Sequence, residues 1–585
     1  MTVGFALATF AVVLGLASSA QAADSKCQLV KLVELPVTMI GMKPIVTVKI
    51  NGQETRLIAD TGAFFSVLSP TAAARLGIKT SRAPTEVEVR GFGGGETFVG
   101  VGKAGEVAIG DLPAFHSVPF VVGGVDYGSD ISGLLGQNLL GSTDVEYDLA
   151  NGIIRLFRAQ DCAGSILAYW AAGIPFSVVT IPARTPESPH ITAPAKIDGK
   201  SIRVAFDTGA SSSYLSRSAA MRAGIKLATE GVTDGGASRG LANVDVQTQI
   251  VPFGSFSIGD EEIKNPRLRV AKAEVIEGML LGVDFFLSHR VFVATSQRQL
   301  YFTYNGGPVF QLDAPRRAAA TSAASAPSGE TPADAAGFSR RGLASLARRD
   351  YASAAADLKR ATELDPTQST HFANLAMAHV GLGQLALAIA DLGHVLELKP
   401  DHGNTLVLRA RLYANTKEPA LALKDLDAAA ALPLDAQTRL GLAQLYTSLG
   451  RYERAIAEHS KFIASYPADP SLPDALNGRC WARAASGQQL NEALTDCDQA
   501  VLKRPRDASF LDSRALVKLR LGRFDESIGD YDAALKLDPK QAWSLYGRGL
   551  AKRHKGLRAE GDADVQAAVA LDASLPEVAR RYGVS

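Results

Sequence analysis

The chain is poor in the features that would mark several classes of protein. Its 585 residues hold only four cysteines, six methionines and three tryptophans. No Cys-x-x-Cys occurs, and the histidines show no ligand spacing. His116, His190 and His289 fall in separate segments and read as surface or structural residues. The sequence therefore gives a metal site no support, and no cofactor is expected. No charge of one sign prevails: 61 basic residues stand against 60 acidic ones, a net charge of +1, with no long basic run. That removes the electrostatic footprint expected of a partner to nucleic acid or to an anionic membrane surface. Beyond residue 22 no stretch reaches the roughly 18 apolar residues a membrane-spanning helix needs.

What is present begins with length. A chain of 585 residues is too long for one core and suggests three or four domains. Phe5 to Leu16 is an apolar run, followed by small residues and Ala20-Gln21-Ala22. This reads as a secretory signal peptide over 1–22, cut after Ala22 or Ala23. No Lys or Arg precedes the run, so the alternative is an uncleaved membrane anchor. The first reading implies an exported, periplasmic protein with no integral membrane domain after cleavage. In such a compartment an even cysteine count suggests disulfides. The expected pairs are Cys27 with Cys162, which flank one β-patterned region, and Cys480 with Cys497, within one helical hairpin. Four buried thiols are the alternative.

The chemistry is concentrated in a repeated stretch. Leu57-Ile58-Ala59-Asp60-Thr61-Gly62-Ala63 recurs as Val204-Ala205-Phe206-Asp207-Thr208-Gly209-Ala210. Each copy follows a strand-like run entered through a turn, Asn51-Gly52 in one and Asp198-Gly199 in the other. Each leads to a short helical segment, Ser66 to Leu76 and Ser216 to Ala223, stopped by Gly77 or Gly224. A glycine-rich tip comes next: Gly91-Phe92-Gly93-Gly94-Gly95, then Gly235-Gly236-Ala237-Ser238-Arg239-Gly240 in the second copy. Both read as flexible hairpins able to cover a cleft. Each copy closes on an apolar strand ending in Leu-Leu-Gly, at Gly136 and Gly282, 76 and 75 residues after the Asp. An internal duplication accounts for the match.

Two other motifs carry little weight. Gly100-Val-Gly102-Lys-Ala-Gly105 has the spacing of a dinucleotide fingerprint, but a strand rather than a helix follows it. Gly236-Ala-Ser238-Arg-Gly240 has the spacing of a nucleophile elbow but lacks the strand before and the helix after.

Residues 30–310 resemble the aspartic proteases of the retropepsin type, in which two halves each supply one Asp. The resemblance rests on apolar-apolar-Asp-Thr-Gly-Ala, the glycine-rich flap and the Leu-Leu-Gly segment. It implies a catalytic dyad of Asp60 and Asp207 within one chain, the alternative being that each half pairs with the same half of another molecule. Thr61, Gly62, Ala63, Thr208, Gly209 and Ala210 would support that dyad. Phe92, Gly93, Gly94, Gly235 and Gly236 would lie in substrate-binding flaps. Two departures stand out. Phe64-Phe65 and Gln137 replace the ion pair that many retroviral enzymes use to brace a dimer. Ala63 and Ala210 replace the Ser or Thr that pepsins place beside the dyad, which implies activity at milder pH than pepsin's.

From 313 to 336 the chain is rich in Ala, Ser, Pro, Arg and Gly and reads as a flexible linker. Beyond it, prolines at 366, 400, 433, 467, 505 and 539 are spaced 34, 33, 34, 38 and 34 apart. This resembles tetratricopeptide repeats, about seven over 337–575. The expected fold is multidomain: an all-β aspartic-protease double domain, with halves at 29–165 and 174–312, and a C-terminal all-α solenoid. The function this implies is an exported aspartic endopeptidase acting on peptide or protein substrates. Its arm would recruit substrate or a protein partner through the repeat groove. The alternative is a non-catalytic peptide- or protein-binding scaffold.

Overall fold

A computed structural model describes residues 27–584 apart from 83–99, 124–129, 184–189, 223, 225–226, 228–229, 240–244, 272–277, 308 and 311–330. The expected signal peptide, the flap residues Phe92, Gly93 and Gly94, and most of the expected linker lie outside the described residues. The chain divides into two compact units, Met1–Leu364 and Asp365–Ser585.

The first unit is built on three sheets. In the first half, the strand Lys43–Ile50 buries Val46, Val48 and Ile50 and exposes Thr47 and Lys49, the period-2 pattern of a half-buried strand. Asn51 (φ 49°) and Gly52 (φ 79°) then turn the chain into the strand Gln53–Ala59. Asp198 (φ 49°) and Gly199 (φ 74°) do the same in the second half. Each half is locked by a crossing. The strand Gly133–Leu135 lies parallel to Gln53–Ala59, with Ala59 opposite Leu135, and antiparallel to Val67–Leu68. In the second half Met279–Leu281 lies likewise between Lys200–Phe206 and Tyr214–Ser216. A side chain at Gly133 would collide with the carbonyl of Val67, so only glycine fits this crossing.

The short helices are Pro70–Arg75 and Arg217–Arg222, later starts than the sequence suggests. The preceding residues are drawn into the crossed sheet instead: Val67 pairs with Leu134, and Tyr214 with Leu280. A second correction concerns Gly235 and Gly236. They lie in the strand Thr233–Arg239, which pairs with Asp245–Pro252, and not at the hairpin tip. A bulge falls between Asp234 and Gly236. At Gly235 the missing Cβ leaves room for the guanidinium of Arg269, which donates to the Gly235 carbonyl and, at 2.9 Å, to Thr248 Oγ1.

The third sheet joins the halves. Its six strands run Gln28–Pro36, Ile153–Gln160, Asp144–Asp148, His289–Ala294, Gln299–Tyr304 and Ser177–Thr180. The junction is antiparallel, with Val145 opposite Val293. A buried ion cluster crosses it. Glu146 accepts from Arg155 of its own half, from Arg290 Nη2 of the other half at 2.9 Å, and from the Tyr169 hydroxyl at 2.6 Å. The Arg290 guanidinium also lies over the Trp170 ring, 4.8 Å from its centroid. Cys27 and Cys162 are disulfide-bonded at one end of this sheet. The helix Ala335–Ala347 packs on the strand Thr38–Ile40 and the turn Leu149–Asn151, with Ala344 buried in the β core. The first helix pair, Ala335–Ala347 with Tyr351–Leu364, is thus compact with the sheets.

The second unit holds six further antiparallel helix pairs, from Ser369–Gly381 to Arg558–Leu571, and the short helix Leu575–Arg581. Small residues sit where the paired helices cross, as at Ala376 with Ala388, both fully buried. Cys480 and Cys497 join the two helices of one pair. A polar clip recurs beside these contacts. Arg409, Arg479, Arg514 and Arg548 on the first helix of a pair each make a two-pronged bond to Asp425, Asp496, Asp530 or Asp564 on the second, at 2.7–2.8 Å. Arg341 and Asp357 form the same clip in the first unit. Among the described residues no helix is long and apolar enough to cross a membrane.

Candidate active site

The strands Gln53–Ala59 and Lys200–Phe206 end side by side, and each delivers an Asp to the same point. Asp60 is buried, 6% exposed, and Asp207 is partly exposed. The amides of both are tied to the crossing strands, Asp60 N to Leu135 O at 3.0 Å and Asp207 N to Leu281 O at 2.9 Å. This is why the Leu-Leu-Gly segment matters: it sets the height at which each carboxyl emerges.

The two loops then hold each other. Thr208 Oγ1 donates to Ala59 O at 2.7 Å and accepts from Thr61 N at 3.0 Å. Thr61 Oγ1 donates to Phe206 O at 2.8 Å and accepts from Thr208 N at 2.9 Å. Four buried bonds, reciprocal about a local two-fold axis, fix one loop on the other. Each contributes about 1 kcal/mol net, but leaving its partner unpaired would cost more.

Each carboxyl is cradled by its own loop. Asp60 Oδ1 accepts from the amides of Gly62 at 2.8 Å and Ala63 at 3.0 Å. Asp207 Oδ1 accepts from Gly209 at 2.8 Å and Ala210 at 3.2 Å. The glycines are also spacers. A Cβ on Gly62 would come within 2.6 Å of Asp207 Oδ2, and one on Gly209 within 2.6 Å of Asp60 Oδ1. The site therefore brings together Asp60, Thr61, Gly62, Ala63, Asp207, Thr208, Gly209 and Ala210. Gly235 and Gly236 belong to the hairpin of the second half described above.

The electrostatics follow from this closeness. Burial, repulsion by Asp207 and a hydrogen bond with Asp207 hold the Asp60 carboxyl well above the usual carboxylate range. Burial raises Asp207 as well, opposed by the Asp60 hydrogen bond, the amides of Gly209 and Ala210, and the nearby His190. Two such groups share one proton readily and release both only with difficulty. One then accepts a proton while the other donates one.

The structure adds residues that the motif reading passed over. Ser66 donates from both its amide and its hydroxyl to Asn138 Oδ1, at 2.9 and 2.8 Å, while its oxygen accepts from Gly136 N at 3.0 Å. Ser213 does the same with Asp284 Oδ2 and Oδ1 at 3.0 and 2.6 Å, and accepts from Gly282 N at 2.9 Å. Each Ser thus pins its dyad loop to the crossing strand. The signal was in the repeat itself: Ser66 and Ser213 are each six residues after the Asp, and Asn138 and Asp284 each two after the Leu-Leu-Gly glycine. Burial raises Asp284, against the bonds from Ser213.

Comparison with known proteins agrees with this architecture. Residues 46–139 and 193–285 match the family model described as aspartyl protease. Residues 372–402 and 515–556 match models of the tetratricopeptide repeat. No curated protein matches the chain. Among solved structures, a tetratricopeptide repeat protein from Parabacteroides merdae is 18% identical, with 42% of this chain and 97% of that chain covered and a TM-score of 0.34. MamA from Desulfovibrio magneticus is 18% identical, with 30% and 97% covered and a TM-score of 0.25. The chain thus carries two aspartyl-protease segments in its all-β part, followed by an all-α solenoid of tetratricopeptide repeats.

Proposed function

We propose that the β unit is an aspartic endopeptidase and that the helical arm recruits its substrate or a partner protein. The observation that carries this reading is the meeting of two carboxyl groups, Asp60 and Asp207, each raised above its ordinary range and held by reciprocal threonine bonds. The ionised member takes a proton from a water molecule as that water attacks the scissile carbonyl carbon. The protonated member gives its proton to the carbonyl oxygen. Collapse of the resulting diol returns a proton to one carboxyl as the other protonates the leaving nitrogen. Ala63 and Ala210 offer the carboxyls no hydroxyl donor, so activity belongs at milder pH than that of pepsin. Export to an oxidising compartment such as the periplasm suits the two disulfides.

The test is digestion of a diverse peptide library between pH 3 and 8, with and without a statine-type inhibitor. The expected result is cleavage that the inhibitor blocks and that Asp60→Asn or Asp207→Asn abolishes, while peptide binding survives. A wild-type protein that cuts nothing in this range would leave the scaffold reading in its place.

A further inference from the structure

The helical unit holds a cavity of about 580 Å³ between the first helices of two successive pairs, Ala436–Ser448 and Leu472–Ser486. Thr447 lines it from one of these helices, and Asn477, Gly478 and Trp481 from the other. His459 lines it from the helix Tyr452–Ser465 that lies between them in the chain. Three polar atoms of these residues are buried with no hydrogen-bond partner among the described residues: Asn477 Oδ1 and both ring nitrogens of His459. Such atoms are uncommon in a folded protein and call for an explanation. Gly478 keeps the imidazole edge clear of any side chain, since a Cβ there would stand 2.5 Å from His459 Nε2.

A further wall of the cavity is the chain's own C-terminal segment, through Arg581 and Tyr582. The helix Leu575–Arg581 has only seven residues, too few to hold its shape alone in water. Other helices hold it instead. Leu575, Ala579 and Val584 are buried in one cluster with Leu516, Tyr546 and Leu550. The Tyr582 ring centroid lies 5.3 Å from that of Trp481 and 5.5 Å from that of Trp543, and its hydroxyl is hydrogen-bonded with Tyr452. Arg520 Nη1 donates to Tyr582 O and, at 2.8 Å, to Ala484 O. The segment thus fits this surface through apolar and ring contacts, yet it bonds none of the three orphaned atoms.

We propose that this cavity is a peptide-binding site that the C-terminal segment holds shut: an extended peptide displaces Tyr582 and pairs its backbone amide groups with Asn477 and His459. This rests on the reading of the arm as a recruiting module and names the site and its ligand. The atoms left unpaired decide the ligand class. Asn477 Oδ1 takes an N–H donor. Burial pulls the His459 ring down to about 4, so near neutral pH it is uncharged and offers one N–H donor and one bare nitrogen. A peptide backbone carries both complements, an N–H and a C=O, at each residue. Arg581 is the one charged side chain in the lining, and it leaves with the segment, so a strongly charged ligand finds no counter-ion there. Tyr452 and Trp481 then present ring faces to the peptide's apolar side chains.

The test uses the full-length protein carrying Asp60→Asn, so that a peptide is bound without being cut. An array of random short peptides supplies a binder, and anisotropy of its fluorescein-labelled form gives Kd. Adding Asn477→Leu weakens binding about tenfold, the effect of about one hydrogen bond. Adding Tyr582→Ala tightens it about fivefold, because less of the protein is held in the shut form. Hydrogen exchange needs no further variant: with peptide bound, the amides of 575–584 exchange faster and those of 472–486 more slowly. A peptide whose Kd is the same in all three proteins binds elsewhere, which overturns the proposal and leaves the recruiting role standing. Weaker binding in the Tyr582→Ala protein, or slower exchange over 575–584, makes the segment part of the site and overturns the proposal too. If no peptide binds with or without Tyr582→Ala, the proposal and recruitment through peptides fall together. Cleavage by the wild type decides the peptidase reading separately.

Discussion

Gly62 faces Asp207 so closely that a single methyl group on it would enter the carboxyl. Gly209 stands in the same relation to Asp60. Each half therefore provides not only one acid but also the empty space that the other half's acid needs.

That closeness has a cost for the fold. Both carboxyls are raised, so the folded protein holds protons that the unfolded chain would release. The stability of this pair is full at acid pH and is lost as pH rises through the raised range. Asp60→Asn should accordingly raise the melting temperature at pH 7 and leave it nearly unchanged near pH 3. Thermal unfolding at the two pH values checks this, and an equal shift at both would contradict it.

The threonine bonds should be worth more than their number suggests. Thr208→Val keeps the shape of the side chain but leaves Ala59 O and Thr61 N without their partner. The expected loss is about 2–4 kcal/mol, since two buried groups go unpaired. Urea unfolding of wild type and variant measures it, and a loss below about 0.5 kcal/mol would assign the loops' rigidity to packing alone.

Arg290→Leu should be among the most damaging substitutions far from the dyad. It leaves Glu146, which is fully buried, with Arg155 and Tyr169 but without its bond from the other half. Removing one member of a buried ion cluster costs on the order of 3–5 kcal/mol. The double variant Glu146→Gln with Arg290→Leu should recover part of that loss, which a double-mutant cycle would show.

The helical unit carries two buried groups with opposite pH demands. His459 is 1% exposed and packed on Gly478, and its burial pulls it from 6.5 to about 4. The unfolded chain binds a proton there first, so the unit loses up to about 3 kcal/mol as pH falls from about 6.5 to about 4. Burial pushes Asp512 up to about 7, against the hydroxyl bond from Ser544. Its contribution is present at acid pH and lost as pH rises through about 7. His459→Leu should flatten the acid side of the stability curve and Asp512→Asn the alkaline side. Urea unfolding read by tryptophan fluorescence at pH 5 and pH 8 separates the two.

The acid residues and their glycines were legible because duplication printed them twice, and two matched Asp-Thr-Gly-Ala copies need a place to meet. The solenoid was legible because proline and small-residue spacing repeats along it. What the sequence hid was pairing between distant segments. Nothing local to Asp144–Asp148 announces that His289–Ala294 will lie beside it, nor that Glu146 will meet Arg290. The glycines at 235 and 236 misled for a local reason: they suit a hairpin tip, yet here Gly235 makes room for Arg269 within a strand and Gly236 takes a positive φ beside the bulge. The Arg–Asp clips were present in the sequence as a 16- or 17-residue spacing, but a spacing between charged residues reads as solvated surface until the helices are paired.

The six-stranded sheet also sets an order of events during synthesis. Five of the helix pairs close a clip with residues made moments apart, so the arm can settle in instalments as it is produced. The first half has no such freedom. Its strand Asp144–Asp148 waits with one edge bare, and Glu146 without Arg290, until His289–Ala294 has been made. A chain interrupted before that point would expose an unpaired sheet edge, the kind that captures another copy. Translation past residue 294 is thus the step that turns a sticky fragment into a closed one.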